Sequence, residues 1–256
     1  MIANYHTHTP LCRHAKGTVE EYAQAAFDSG IRILGMSDHT PYWFPEGYYT
    51  HMRMYPHQLE GYIQEVLAVK EKFQGRMQMH LGLEVEYYPK YFPELIAHLR
   101  DTPVEYFILG QHWCGSEIDE PYNGTPTDRE QDVARYCDQV MEALNTGLFT
   151  YAAHPDLIHF VGDDNVYRRH VRRLCREAKS IGIPLEINLL GLVQGRNYPD
   201  LRFWEVAAEE GCSAILGSDA HSPLAFGDKE TEAKALNIVD RFGLTLLQTA
   251  DLRPIR

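Results

Sequence analysis

Histidines and carboxylates of the kind that bind metal ions recur along this sequence where apolar segments end. The chain opens with NYHTHTPLCRH, in which three of its thirteen histidines lie within nine residues. Residues two apart on a β-strand point to the same face of the sheet. His6 and His8 are therefore expected to point together, as are Asp219 and His221 in GSDAH. Two imidazoles on one face can share a metal ion, and imidazole with carboxylate suits zinc, iron or manganese.

Nine candidate metal ligands occupy these positions. They are His6, His8, His14, His39, Glu84, His112, His154, Asp219 and His221. Packing alone would favour Val, Ile or Leu at the ends of buried strands, so the recurrence indicates a metal centre. Nine ligands exceed the needs of one tetrahedral zinc ion, and a centre of two or three metals about 3.5–4 Å apart is expected. For the histidines outside this set, apart from His159, a structural or solvent-exposed role is expected.

The elements that must position these residues alternate along the chain. Seven apolar segments are predicted strands: 2–6, 31–39, 77–87, 104–113, 149–156, 183–191 and 213–221. Seven amphipathic segments are predicted helices: 18–30, 58–73, 91–101, 129–147, 165–182, 201–211 and 229–243. Thr18 and Glu21 form a capping-box pattern at the first helix. The alternation predicts one α/β domain over residues 1–256, a parallel barrel or a doubly wound sheet, with functional groups at the carboxyl ends of the strands.

Composition narrows the classes of function. The 256 residues carry a net charge of −12, which argues against non-specific binding to nucleic acid or to a membrane surface. Five scattered cysteines without a CxxC motif, and no long apolar stretch, predict a reduced cytoplasmic protein without a membrane span. No heptad or exposed apolar helix indicates an obligate protein partner, so a small molecule is the expected partner.

The motifs resemble a known family. HTHTPLCRHAKGTVEEY, GMSDH, GLEVEY, GQHW, AHPDLI, EIN and GSDAH resemble the PHP (polymerase and histidinol phosphatase) superfamily, most closely its stand-alone histidinol-phosphate phosphatases. The resemblance extends from the first predicted strand to about residue 225. It implies a distorted (β/α)7 TIM-like barrel of the PHP type that holds three divalent metal ions, zinc, manganese or iron. It also implies a phosphomonoesterase that hydrolyses L-histidinol phosphate in histidine biosynthesis.

The resemblance also implies how the nine ligands divide among three metal positions. The first position would be held by His6, His8, Glu84 and Asp219. The second would share Glu84 and add His112 and His154. The third would be held by His14, His39 and His221. The implied catalytic residues are Glu84, Asp219 and His221: a hydroxide bridging the two Glu84-linked metals would attack phosphorus, and Asp219 or a metal-bound water would protonate the leaving alkoxide.

Three residues are expected to bind substrate. EINLLGLVQGRNYPD resembles the family segment that supplies a phosphate-binding arginine, which assigns that role to Arg196. His159 stands in HPDLIHF where related phosphatases often carry arginine, and Glu86 is a candidate partner for the ammonium group of histidinol.

Four aromatic residues near strand ends either line the same pocket or pack in the barrel, and packing is expected for any single one. They are Tyr42, Trp43, Tyr88 and Trp113. The segment 40–56 is either a lid over the site or a static rim.

Other functions share parts of this pattern. A PHP-type phosphoesterase acting on another small phosphate ester, such as a nucleotide, would use the same centre. An amidohydrolase also opens with HxH on a barrel, but none of the seven lysines falls at a predicted strand end where its bridging carboxylated lysine would be needed. A metal-storage or metal-sensing protein would bind metal without turnover, and it would not need an arginine of the phosphate-binding type.

Overall fold

A computed structural model describes residues 1–255, and its strands form one curled sheet of eight parallel strands paired in chain order. The strands are β1 Ala3–Asn4, β2 Ile33–Met36, β3 Gln78–Val85, β4 Tyr106–Leu109, β5 Phe149–Ala152, β6 Leu185–Asn188, β7 Ser213–Gly217 and β8 Thr245–Leu247. The helices are α1 Val19–Asp28, α2 Leu59–Lys72, α3 Phe92–Leu99, α4 Glu130–Asn145, α5 Asp164–Ser180, α6 Leu189–Gln194, α7 Leu201–Glu209 and α8 Lys229–Phe242. The predicted fold class, a distorted TIM-like barrel, is confirmed.

Two details differ from the sequence prediction. The sheet has an eighth strand, β8, which is only three residues long and is not fully buried. The segment 183–191, predicted as one strand, is instead a strand followed by a helix. The side chain of Asn188 accepts a hydrogen bond from Gly191 N at 2.9 Å and begins α6. The predicted capping box of Thr18 and Glu21 is present at α1.

The sheet packs on both faces. The larger hydrophobic cluster lies between the strands and the helices. A smaller cluster takes alternate residues of several strands, as expected for side chains that point to one face of a sheet. Its members are Ala3, Tyr5, Tyr106, Ile108, Tyr151, Ala153 and Ile215. Ala250 and Leu252 of the C-terminal segment pack against this cluster, and Ala250 N donates to the Tyr5 hydroxyl at 3.3 Å.

The first and seventh strands meet at the carboxyl edge of the sheet. Thr7 and Ala220 form a parallel bridge just beyond the ends of β1 and β7. Backbone hydrogen bonds run from His8 N to Ala220 O at 2.9 Å and from Ala220 N to His6 O at 3.1 Å. The edge that carries the candidate ligands is therefore closed into a ring.

Within residues 1–255, no helix combines the length and the apolar character needed to cross a bilayer.

Candidate metal centre

The candidate ligands gather at the carboxyl edge of the sheet. His6 and His8 follow β1, His39 follows β2, and Glu84 lies within β3. The other strand-end ligands follow β4, β5 and β7, in the order His112, His154, Asp219 and His221. Seven of the nine ligands are buried, whereas His221 is partly exposed and His14, after a short 3-10 turn, is exposed.

Glu84 lies at the centre of the group, and its two carboxylate oxygens face different histidines. Oε2 lies 3.4 Å from His6 Nε2, 3.4 Å from His8 Nε2 and 3.1 Å from His39 Nδ1. Oε1 lies 3.0 Å from His154 Nε2 and 3.8 Å from His112 Nε2. A carboxylate whose oxygens face two sets of imidazoles has the arrangement needed to bridge two metal ions.

Asp219 adds a second carboxylate on the side of the first strand. Its Oδ1 lies 3.4 Å from His6 Nε2 and 3.1 Å from His8 Nε2. Ligand atoms of His6, His8 and Asp219 all lie within 4.8 Å of one another. The first ligand group implied by the family resemblance is thus close together in space.

The implied third group is more spread out. The His14 and His221 rings are stacked with centroids 4.5 Å apart, but the His14 and His39 centroids are 6.1 Å apart. His39 instead lies within 4.8 Å of His8 and Glu84 through their ligand atoms. Cys12, which the sequence did not single out, lies near His8 and His221, but burial raises the pKa of its thiol to about 12 and keeps it protonated.

Buried polar atoms that lack a hydrogen-bond partner indicate that these residues suit a metal ion. Among the described residues, twelve buried side-chain nitrogen or oxygen atoms lack a hydrogen-bond partner. Seven of them belong to candidate ligands, one each on His6, His8, His39, Glu84, His154, Asp219 and His221. Buried polar atoms are normally paired because an unpaired one costs about 1–3 kcal/mol. Imidazole nitrogens and carboxylate oxygens are also the donors that zinc, iron and manganese accept, so the residues fit such ions.

An outer layer of acceptors orients the histidines. His6 Nδ1 lies 2.9 Å from Glu186 Oε1, His112 Nδ1 lies 2.8 Å from Glu86 Oε1, and His8 Nδ1 lies 3.4 Å from Asp38 Oδ1. A carboxylate behind one ring nitrogen fixes the tautomer and directs the other nitrogen toward a metal. The Nδ1 atoms of His14 and His221 face backbone carbonyls instead.

Glu186 is a further candidate residue that the sequence pattern did not indicate. It is fully buried, accepts from His154 N at 3.0 Å and from Asn188 Nδ2 at 3.0 Å, and so joins the fifth, sixth and first strands. The available signal was a charged residue within the otherwise apolar segment of β6.

Close packing around the carboxylates requires two glycines. A Cβ on Gly110 would lie 1.8 Å from Glu84 Oε1, and a Cβ on Gly217 would lie 1.7 Å from Glu186 Oε1. Two ligands also adopt left-handed backbone conformations, with φ of 29° at His154 and 49° at Asp219. Such conformations in residues other than glycine cost about 1–3 kcal/mol and cluster at functional sites.

The buried charges of the candidate ligands and their neighbours shift one another's pKa values. Burial lowers the pKa of His6, but the carboxylates of Glu186, Asp219 and Glu84 outweigh it and hold that pKa well above its usual value. Burial would raise the pKa of Glu84, but His39, His6 and His112 hold it well below its usual range. Glu84 is therefore ionised at neutral pH.

A small cavity opens onto these ligands. It has a volume of about 180 Å³, and its lining adds Met52, Trp113, Tyr122 and Arg196 to six of the candidate ligands. Arg196 is exposed and, in the part of the chain that is described, has no carboxylate within 4.0 Å. Its guanidinium is thus a free positive charge at the mouth of the cavity.

Two predicted substrate contacts lie elsewhere. Glu86 is fully buried, with Oε1 near His112 Nδ1 and Oε2 accepting from Arg53 Nη1 at 2.7 Å. Both oxygens of Glu86 thus face protein groups and Glu86 is not part of the cavity lining, so its contact with substrate stays a prediction. His159 lines a neighbouring groove with Asn197 and Arg202 and is not part of the cavity lining.

Three of the four aromatic residues pack in the protein interior or on its rim, and one lines the cavity. Tyr42 and Tyr88 are buried beside Arg53, and Trp43 stacks on His98, so these three pack as the packing alternative predicted. Trp113 lines the cavity. The segment 40–56 is anchored by the fully buried Arg53, which favours the static-rim alternative.

Comparisons with known proteins agree on one family. Residues 4–189 match the model of the PHP domain. A protein of Deinococcus radiodurans named probable histidinol-phosphatase is 35% identical over 243 residues, covering 91% of this chain and 91% of the relative. A probable histidinol-phosphatase of Schizosaccharomyces pombe is 25% identical and covers 96% of this chain and 89% of the relative.

Solved structures share the fold. The crystal structure of histidinol phosphate phosphatase from Lactococcus lactis, complexed with zinc, L-histidinol and phosphate, superposes with a TM-score of 0.75 at 18% identity. The match covers 99% of this chain and 97% of that one.

Proposed function

The chain belongs to the PHP domain family, and from that membership we propose that it is a metal-dependent phosphomonoesterase that hydrolyses L-histidinol phosphate to L-histidinol and phosphate. The relative of 35% identity named probable histidinol-phosphatase, which matches over 91% of both chains, supports the substrate. The observation that carries the reaction class is the set of seven buried ligand atoms without hydrogen-bond partners around Glu84, beside a cavity with an unpaired arginine.

Three divalent ions, zinc, manganese or iron, are the proposed cofactors. The residues that would hold them are His6, His8, His14, His39, Glu84, His112, His154, Asp219 and His221. Bound divalent ions would supply Lewis acidity, lowering the pKa of bound water toward about 7 and offsetting the negative charge of a phosphate ester. This positive charge also explains how an acidic protein of net charge −12 could accept an anionic substrate.

Arg196 is the proposed phosphate clamp. Its guanidinium has a planar set of donors that matches two phosphate oxygens at once, and no protein carboxylate among the described residues competes for it. Tyr198 Oη and Gln194 Oε1 accept from Arg196 and hold its side chain over the cavity. Trp113 and Tyr122 are the residues in the lining suited to contact the organic part of the substrate.

Asp219 is the proposed proton carrier. Burial would raise its pKa, but His6 and His8 hold that pKa well below the usual range, so Asp219 is ionised at rest. It can donate a proton to the leaving alkoxide only after it has accepted one earlier in the reaction. Burial and the neighbouring His8 lower the pKa of His221 to about 3, so this imidazole is neutral and serves as a ligand rather than an acid.

Substrate choice is the decisive experiment. The protein would be stripped with a chelator, reloaded with zinc or manganese, and assayed for phosphate release from L-histidinol phosphate beside AMP and phosphotyrosine. We expect kcat/KM for L-histidinol phosphate between about 10⁴ and 10⁸ M⁻¹s⁻¹, far above the other two esters, and no turnover by the stripped protein. Similar weak rates on all three esters would retain a phosphoesterase but reject this substrate, and metal binding without turnover of any ester would reject an enzyme.

A further inference from the structure

The segment 40–56 carries a buried charge that the proposed reaction does not use. Arg53 has no exposed surface, although most arginines in proteins are exposed. A buried guanidinium is costly unless its charge and its donors are matched by the surroundings. The partners of Arg53 therefore indicate what this residue is for.

Arg53 contacts three separate parts of the chain. Nη1 donates to Glu86 Oε2 at 2.7 Å and to the backbone oxygen of Thr40 at 3.0 Å. Nε donates to Glu117 Oε2 at 2.7 Å, and Nη2 donates to the same oxygen. Nη2 also lies 3.4 Å from the Tyr88 hydroxyl. One guanidinium thus joins the segment after β2, the end of β3 and the loop after β4.

The contact with Glu86 leads directly to the candidate metal centre. The other oxygen of Glu86 lies 2.8 Å from His112 Nδ1, and His112 Nε2 lies 3.8 Å from Glu84 Oε1. Arg53, Glu86 and His112 therefore form a continuous chain of polar contacts that ends at the bridging carboxylate. The carboxylate of Glu86 could not keep this position without a cation, because it is fully buried.

We propose that Arg53 is a positioning residue: it fixes Glu86, and through Glu86 it holds His112 in the orientation that binds metal. The inference rests on the proposed function in that it takes His112 as a metal ligand. A lysine cannot replace Arg53, because all its donors lie on one nitrogen, whereas Arg53 reaches Glu86, Glu117 and the carbonyl of Thr40 from three separate nitrogens.

The test compares Arg53→Lys with Arg172→Lys. Arg172 is the matched control, since it also bridges two glutamates, Glu209 and Glu210, but on the outer surface between α5 and α7. Manganese affinity would be measured by titration of the stripped protein, and bound metal would be counted by mass spectrometry after dialysis. Removing an outer partner of a metal ligand typically costs 10–100-fold in metal affinity or activity.

We expect Arg53→Lys to bind one metal ion 10–100-fold more weakly, while Arg172→Lys binds as the wild type does. At limiting manganese, kcat for L-histidinol phosphate falls with little change in KM, and excess manganese restores it. A residue that merely stabilises the fold would not show recovery with metal. Wild-type metal affinity in Arg53→Lys, or a lost kcat that excess metal does not restore, would overturn the proposal.

Glu86→Gln keeps the proposal testable if Arg53→Lys does not fold. It leaves Arg53 in place but removes the charge behind His112, and it should weaken the same metal position. Where both single variants fold, the double variant should bind metal no more weakly than the single variant with the lower metal affinity, because both changes act on one chain of contacts. Additive losses of affinity would contradict the proposal. The metal titrations need no substrate, so they distinguish failure of this inference from failure of the proposed reaction.

Discussion

Replacement of Gly110 by alanine tests the role of Glu84 with the smallest possible change. An ideal Cβ on Gly110 would lie 1.8 Å from Glu84 Oε1 and 2.6 Å from its carboxyl carbon. Since ordinary carbon contacts begin near about 3.5 Å, the carboxylate or the backbone must shift by roughly 1.5 Å. A misplacement of about 1 Å at a reacting group can cost on the order of 10²-fold in rate.

We therefore expect Gly110→Ala to lower kcat/KM for L-histidinol phosphate by at least about 100-fold. Overpacking a buried site typically costs about 1–3 kcal/mol of stability, which a domain of ordinary stability survives. Steady-state kinetics, metal content and urea unfolding would be measured together, so that a folded but inactive variant is recognised.

Gly61→Ala is the matched control. Gly61 lies in α2, and a Cβ there would meet no atom within 4 Å. It should keep full activity and gain about 0.5–1 kcal/mol from improved helix propensity. If Gly110→Ala kept wild-type kcat/KM and metal content, the assignment of Glu84 as a bridging ligand would be refuted.

Three further changes probe other parts of the structure. Arg196→Lys removes the planar donor pair at the cavity mouth and should lower kcat/KM by about 10–100-fold. It should also weaken product inhibition by phosphate, and unchanged inhibition would contradict the role of Arg196 as a phosphate clamp. Glu186→Gln removes the carboxylate behind His6 and should weaken metal binding by about 10–100-fold in a titration, whereas unchanged affinity would exclude an orienting role. Burial would raise the pKa of Glu105, but hydrogen bonds led by that from His80 lower it to about 2. Its ionised form thus stabilises the fold above pH 4.5, and this contribution is lost as the pH falls toward 2. Glu105→Gln should therefore reduce the free energy of unfolding by about 1 kcal/mol at pH 7, a value discounted because the side chain is partly exposed. Measured by urea unfolding, the difference from the wild type should shrink below pH 4.5. A difference that does not depend on pH would contradict this role.

The grouping of the candidate ligands at one edge of the sheet was predictable because their signal is local. His6 and His8 stand two apart, and their rings lie 5.2 Å apart in the structure. Glu84 ends an apolar run, and parallel strands bring such ends to a common edge. The alternation of apolar and amphipathic segments predicted a parallel α/β domain, either a barrel or a doubly wound sheet, and the family resemblance implied the barrel. Whether the nine residues bind metal remains a prediction that the titrations test.

The role of Glu86 was not predictable, since it depends on a distant residue. Beyond the end of β3, the direction of its side chain is set by Arg53, more than thirty positions earlier in a segment without regular structure. β8 was missed because three partly exposed residues carry too little periodic signal. Glu186 was overlooked because its partners, His6 and the backbone of His154, are far away in sequence.

The junction between the first and seventh strands has a consequence for biosynthesis. Ser218 N donates to Asn4 Oδ1 at 2.8 Å across 214 residues of chain, and the neighbouring backbone bonds join His6 and His8 to Ala220. At about 5–20 residues per second, roughly 10–40 s would pass between synthesis of the first histidines and of Asp219. During translation Asp219 is therefore the last carboxylate to reach His6 and His8, and the complete set of candidate ligands exists only after the seventh strand has left the ribosome. We therefore expect loading of the proposed metal centre to be a late step in the maturation of the nascent chain.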